Sequence, residues 1–218
     1  MLLRFESNDS HRHRRVTLPD STLAASRKPL RMALRAQRRA VTPAERIRMG
    51  KLVASHIGRT FHLRTGARVA LYASMPDELD TSAVIALARK RGWTVYLPRI
   101  DHRRRGRKMK FVQFSQSQRT NRLGILEPAG SRSIEPRRLD LVFVPLLGFD
   151  ARGVRLGMGG GYYDRAFAFR RWRRAWHAPR LIGIAYSFQQ IERLSPAPHD
   201  VRLDAVVTER GLIPCATG

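Results

Sequence analysis

The chain has one cysteine, Cys215, which excludes an intrachain disulfide, and nothing near it in sequence would activate its thiol as a nucleophile. Acidic residues are scarce: 17 Asp and Glu stand against 42 Lys and Arg, a formal net charge of +25. Long apolar runs are missing. LDLVFVPLLGF (139 to 149) is the longest, is broken by Pro145, and falls well short of the roughly 18 residues a membrane-crossing helix needs. No serine sits on a nucleophile elbow and no His pair has metal-ligand spacing. With 218 residues, 43% of them apolar, the chain can build one substantial core, and a reducing cytoplasm suits it.

The charge is the outlier of the composition, and nucleic acid is the first partner that such a surface brings to mind. RRWRRAWH (170 to 177) interleaves basic and aromatic residues as a single-strand binder would. Against that, Phe169, Trp172 and Trp176 fall at i, i+3 and i+7, the spacing of a buried helical stripe, and the core reading is favoured.

Residues 1–26 are mostly polar and lack periodicity. They are expected to form a disordered basic extension, with HRHRR a solvated tail rather than a metal site. Glu6, Asp9 and Asp20 count against a targeting peptide, and no secretory apolar core is present. From Arg27 the pattern turns helical, with Leu30, Ala33 and Leu34 on one face and Arg31, Arg35, Arg38 and Arg39 beside it. Thr42-Pro-Ala-Glu45 reads as a capping box that opens a second helix carrying Ile47, Leu52, Val53 and Ile57. ARVALYA, TSAVIALARKR and WTVYLP then read as strand, helix and strand, a βαβ unit with parallel strands. DHRRRGRKMK is a basic loop, and MKFVQF, the end of NRLGILEP, LDLVFVP, LIGIAYS and LDAVVTE are further strands, the last named closing the set. A helix is expected from about Gly161 to Trp176. Residues 27–218 thus read as a single catalytic α/β domain, a largely parallel or mixed central sheet flanked by helices.

Between the strand LVFVP and the helix lies RLGMGGGYYDR (155 to 165), with four glycines in five positions. Glycine lets backbone amides approach an anion closely and adopt left-handed conformations, and a helix N-terminus adds partial positive charge, so this loop suits phosphate. Arg155 supplies a full charge. The loop is not a P-loop, because Tyr162 and Tyr163 stand where Lys and Ser or Thr would.

GFDARGVRLGMGGGYYDR (148 to 165) resembles the signature of the 5-formyltetrahydrofolate cyclo-ligase family, also called 5,10-methenyltetrahydrofolate synthetase. RKPLRMALRAQRRAVTPAER, ALYASMPDELDT, NRLGILEP and APHDVRLDAVVTE match further family segments in order, so that the resemblance spans about residues 27 to 210. It implies a three-layer fold like that of ribose-phosphate isomerase and the CoA-transferases. It also implies ATP-dependent cyclisation of 5-formyltetrahydrofolate to 5,10-methenyltetrahydrofolate, with release of ADP and phosphate, through a phosphorylated iminium species. Such chemistry needs two substrates held in line and positive charge along the phosphoryl path, with no protein nucleophile.

Residue by residue, the resemblance implies ATP contacts at Arg27 (or the adjacent Lys28), Arg31, Arg155, Leu156, Gly157, Met158, Gly159, Gly160, Gly161, Tyr162 and Tyr163. Arg155 and Tyr162 are the expected catalytic residues. Ala73, Glu78, Met158 and Tyr162 would face the folate, Glu78 accepting from the pterin's fork of N–H donors. Asp164 and Asp200 would hold Mg²⁺, with Asp204 the alternative to Asp200. Met158 departs from the family's usual Arg or aromatic residue. The basic loop 103 to 110 reads as a solvated loop, with attraction of a polyglutamate tail on the folate as the alternative. Nucleic-acid binding on the same fold, or an ATP-dependent enzyme with another acceptor, are the alternatives.

Overall fold

A computed structural model describes residues 27–100, 108–115, 118–120, 126–128, 130, 132–172 and 179–216. The 1–26 extension, the loop 101–107, the turn 121–125 and Trp176 lie outside these described residues.

Two helices come first, α1 (Arg27–Ala40) and α2 (Pro43–Thr60), followed by β1 (Arg68–Ala70), α3 (Ser82–Lys90) and β2 (Thr94–Ile100). Then come β3 (Met109–Gln113), β4 (Gln118–Thr120), β5 (Leu126–Pro128), β6 (Ser133–Ile134), β7 (Leu141–Pro145), β8 (Gly148–Phe149) and β9 (Arg155–Leu156). The short helix α4 (Tyr162–Ala166), β10 (Arg180–Ile184), β11 (Ala205–Thr208) and β12 (Gly211–Pro214) complete the order. The main sheet runs β12-β11-β10-β7-β1-β2-β3-β6. Its five central strands, β11 to β2 in that order, are parallel, and β12, β3 and β6 are antiparallel additions at the two edges.

Buried strands explain the apolar runs. Along β7, Leu141 and Phe143 point into one core while Val142 and Val144 point into the other, the two-residue alternation of a strand covered on both faces. The first core takes Val53 and Ile57 of α2 and Val84 and Ala88 of α3. The second takes Phe149, Phe167, Val201 and Leu203. A third cluster, Leu34 with Leu147, Val154, Leu156 and Leu194, seats α1 on the β8–β9 hairpin.

The capping box forms as expected: Thr42 Oγ1 accepts from Glu45 N at 3.3 Å and Glu45 Oε2 accepts from Thr42 N at 3.0 Å. Strands β1 and β2 flank α3 and pair in parallel, Arg68 opposite Thr94. Several expectations need correction. On α1, Ala33 is exposed and the buried positions are Leu34 and Arg38. On α2, Ile47 and Leu52 are exposed, and Gly50 and Ala54 join Val53 and Ile57 in the buried face. LDAVVTE is not the last strand, since β12 pairs antiparallel with it. The expected helix from Gly161 to Trp176 ends at Ala166 and gives way to a 3₁₀ turn, Ala168–Trp172. Phe169 packs against the second core, while Trp172, the last residue of that turn, is 85% exposed. The buried stripe expected through Trp172 does not form.

Gly50 marks a contact no side chain tolerates. A Cβ there would lie 2.3 Å from the backbone oxygen of Asp80. Alanine favours a helix by about 1 kcal/mol over glycine, yet Gly50→Ala is expected to destabilise by about 1–3 kcal/mol because backbone must move. A thermal midpoint raised by the substitution would contradict this packing.

Candidate active site

The cavity opens beyond the C-terminal ends of the parallel strands, the usual ligand crevice of such sheets. It has a volume of about 440 Å³, in the ordinary range of roughly 300–1,000 Å³ for ligand pockets. Tyr72 and Ala73 follow β1, Pro145 ends β7, and Leu97, Pro98, Ile100 and Met109 from β2 and β3 supply apolar wall. A second cavity of about 340 Å³ shares Gly159 to Gly161, Asp164 and His199 and adds Arg165, Ala168 and Arg171.

The glycine segment follows the hairpin strand β9 rather than β7 directly. Gly159 (φ +101°) and Gly161 (φ +60°) adopt conformations that side-chain-bearing residues resist, which accounts for glycine at both. Two loop carbonyls are taken by arginines: Arg31 Nε donates to Gly157 O at 2.9 Å and Arg165 Nη2 to Gly160 O at 2.8 Å. At five residues α4 aligns few peptide dipoles. Arginines therefore supply most of the positive charge here, contrary to the expected weight of the helix terminus.

Arg155 is not the loose cation that its sequence position suggests. It is only 6% exposed. Its Nη2 donates to Asp164 Oδ1 at 2.7 Å and its Nη1 donates to the carbonyl of Val201. Asp164 Oδ1 also accepts from Val201 N at 3.0 Å. One buried ion pair thus clamps both ends of the glycine loop to the segment before β11. Arg27 and Asp200 form a parallel clamp, Nη2 to Oδ2 at 2.6 Å, with Arg27 also donating to Ser195 O and Asp200 accepting from Ala197 N. Burial would raise the Asp200 pKa, but the Arg27 hydrogen bond, the Ala197 N–H and the charges of Arg27 and His199 outweigh it and hold the carboxyl below its usual range.

Across the cavity sits the turn 75 to 81. Thr81 Oγ1 donates to Tyr72 O at 2.7 Å, and Glu78 Oε2 accepts from Met75 N at 3.0 Å. Glu78 is 8% exposed. Its pKa is raised: desolvation dominates over the Met75 N–H and the Arg38 charge, which lower it, and Asp77 adds to the rise. Arg38, 1% exposed, donates from Nη2 to Asp77 Oδ2 at 2.6 Å and lies 3.8 Å from Glu78 Oε1. Helix α1 therefore carries Arg27 and Arg31 at one end of the cavity and Arg38 behind the other.

Arg27, Arg31, Ala73, Glu78, Arg155, Gly157 to Asp164 and Asp200 all line the main cavity. Lys28 and Asp204 do not; Asp204 is engaged by Arg170 at 2.7 Å and by Leu181 N at 2.6 Å. Leu156 is the exception among the expected contacts. It is 1% exposed and packs in the third core beneath the loop, because alternate residues of β9 face opposite ways. Met158 is 42% exposed, its sulfur 3.5 Å from Arg35 Nη2. The Arg165 guanidinium stands 5.1 Å from the Tyr162 ring centre. Asp164 and Asp200 both line the cavity, each already paired with an arginine, Arg155 and Arg27; among the described residues no group of three acidic, His or Cys side chains forms a protein-only cage.

Sequence reasoning missed Tyr72, Met75, His199 and Arg38. Adjacency to Ala73 and Asp200 could have flagged Tyr72 and His199. Nothing local distinguishes Arg38 from its neighbours, the half-buried Arg35 and the exposed Arg39.

A model of the 5-formyltetrahydrofolate cyclo-ligase family matches residues 23–209. The 5-formyltetrahydrofolate cyclo-ligase of Escherichia coli K12 is 36% identical over 178 residues, 80% of this chain and 96% of that protein. The Haemophilus influenzae protein of the same name is 32% identical over 181 residues, 81% of this chain and 94% of its own. The solved structure of Aquifex aeolicus 5,10-methenyltetrahydrofolate synthetase superposes with a TM-score of 0.73 at 28% identity, covering 88% of this chain and 94% of that one. The signature glycines, the cavity they border and these matches lead to one assignment: the chain belongs to the 5-formyltetrahydrofolate cyclo-ligase family.

Proposed function

We infer that the protein catalyses the ATP-dependent cyclisation of 5-formyltetrahydrofolate to 5,10-methenyltetrahydrofolate. One observation carries the reading beyond family membership: a single cavity joins an apolar wall ending in Glu78 to a glycine loop bordered by Arg27, Arg31 and Arg155. A reduced pterin suits the first half and a triphosphate the second. The smaller cavity borders the same glycines, Gly159 to Gly161, and adds Arg165 and Arg171.

In this reading the formyl oxygen attacks the γ-phosphorus in line, the bond to ADP breaks, and an N5-iminium phosphate results. The N10 lone pair then adds to the iminium carbon, and loss of the N10 proton and of phosphate leaves the methenyl product. Holding both reactants in line supplies much of the acceleration. Arg31 and Arg27 stabilise charge on the phosphoryl oxygens, while Arg155 keeps Asp164 and the loop in place and Tyr162 flanks the reacting groups. Asp164 and Asp200 would hold Mg²⁺, which neutralises phosphate charge when bound. Glu78 accepts from the pterin.

The test is absorbance at the methenyl product's band after mixing protein, MgATP and 5-formyltetrahydrofolate. Product should accumulate with one ADP formed per turnover. ATP binding without product would remove the folate reading and leave a nucleotide site.

A further inference from the structure

Each carboxylate that lines the main cavity is matched by an arginine of the fold: Asp200 by Arg27 at 2.6 Å, Asp164 by Arg155 at 2.7 Å and Glu78 by Arg38 at 3.8 Å. Two guanidiniums beside the cavity are left over. Arg31 donates to the carbonyl of Gly157, and the half-buried Arg35 donates to the sulfur of Met158 at 3.5 Å. Neither pairs with a carboxylate among the described residues. A thioether is a weak acceptor, so Arg35 keeps most of its five donors for another partner.

Position separates the two cations. Arg27, Arg31 and Arg35 stand four residues apart and form one stripe of α1. At 1.5 Å per residue, Arg35 lies about 12 Å along the helix from Arg27, away from Asp200 and toward Arg38, which backs Glu78. Arg31 lines the cavity, whereas Arg35 stands just outside it, behind Met158. Met158 lines the cavity yet is 42% exposed, which marks its mouth.

The two substrates of the proposed reaction carry two kinds of anion. Phosphates suit Arg31, inside the cavity. The folate's anion is the glutamate that ends its aminobenzoyl arm, and with the pterin inside the cavity those carboxylates come to the mouth, in water. A guanidinium matches a carboxylate in a two-bond fork, and a flexible thioether packs well against an aromatic ring. We propose that Arg35 is the specificity residue for the folate's glutamate, pairing with its carboxylate at the cavity mouth while Met158 packs on the aminobenzoyl ring. This inference rests on the folate reading above.

The test compares 5-formyltetrahydrofolate with 5-formyltetrahydropteroate, which lacks the glutamate, in wild type and in Arg35→Gln, each followed at the methenyl band. In wild type the KM of the glutamate-free compound should be roughly three- to fivefold higher, the size of an ion pair partly screened by water. In Arg35→Gln that ratio should fall toward one through a raised KM for the folate alone, with the MgATP KM within about twofold of wild type. Arg35→Lys, which keeps the charge, should retain part of the preference. An unchanged ratio in Arg35→Gln would overturn the proposal. So would equal losses for both compounds, which would mean that Arg35 acts only by holding the loop through Met158. A raised MgATP KM with unchanged folate KM would assign Arg35 to the phosphates instead, and wild type that uses both compounds equally would show that the glutamate is not read. If wild type makes product from neither compound, the folate reading itself fails and takes this residue's role with it.

Discussion

Glu78→Gln is expected to weaken 5-formyltetrahydrofolate binding by roughly 1.5–3 kcal/mol, the contribution of a charge-assisted hydrogen bond, and to leave MgATP affinity nearly unchanged. The ligand-free protein should not suffer. Glu78 is buried at 8% exposure, and desolvation dominates its raised pKa, so the neutral amide relieves a cost that the charged side chain imposes. A folded-state pKa above the unfolded one means that the stability contributed by Glu78 is present below its ordinary value of 4.5 and lost as pH rises through the raised value. Folate affinity should run the other way over that window, because the pterin's donors require the ionised carboxylate. The difference in thermal midpoint between wild type and Glu78→Gln, followed against pH with and without folate, reads both trends. Undiminished folate affinity in the variant would remove Glu78 from the site.

Arg155→Ala should have the largest structural effect. The side chain is 5% exposed and its partner Asp164 18%, and their 2.7 Å pair joins the two ends of the glycine loop. Removing one partner of a buried pair costs about 3–5 kcal/mol; the lower end applies because Asp164 is partly open to solvent. ATP binding should weaken by roughly 1.5–3 kcal/mol as the loop loosens, with folate affected less. Equal losses for both ligands would show that the loop serves them jointly. A double-mutant cycle with Asp164→Asn should return a strong coupling between the two positions, and additive effects would contradict the clamp.

Local chemistry that depends on few residues was legible in the sequence. The Thr42–Glu45 capping box, the strand β7 with its two buried faces and the glycines at 159 and 161 each follow from a short pattern, and the structure realises them. What escaped depends on residues far apart in the chain. Arg38 looks like part of a solvated stripe until Asp77 and Glu78, some forty residues on, close over it. Arg155 and Arg27 read as cations awaiting phosphate, yet each already has a carboxylate partner supplied by a different segment. Trp172 fitted a 3.6-residue stripe that ends where α4 becomes a 3₁₀ turn. Leu156 sits within the signature but faces the core, a consequence of the hairpin pairing Gly148 with Leu156.

In the proposed function a triphosphate and a reduced pterin occupy adjoining parts of one site at the same time. Calorimetric titration of a non-hydrolysable MgATP analogue into protein saturated with 5-formyltetrahydrofolate tests it directly. One nucleotide should bind per chain, with an affinity equal to or better than that of the folate-free protein. Displacement of folate by the nucleotide, or no heat at all in well-folded protein, would contradict it.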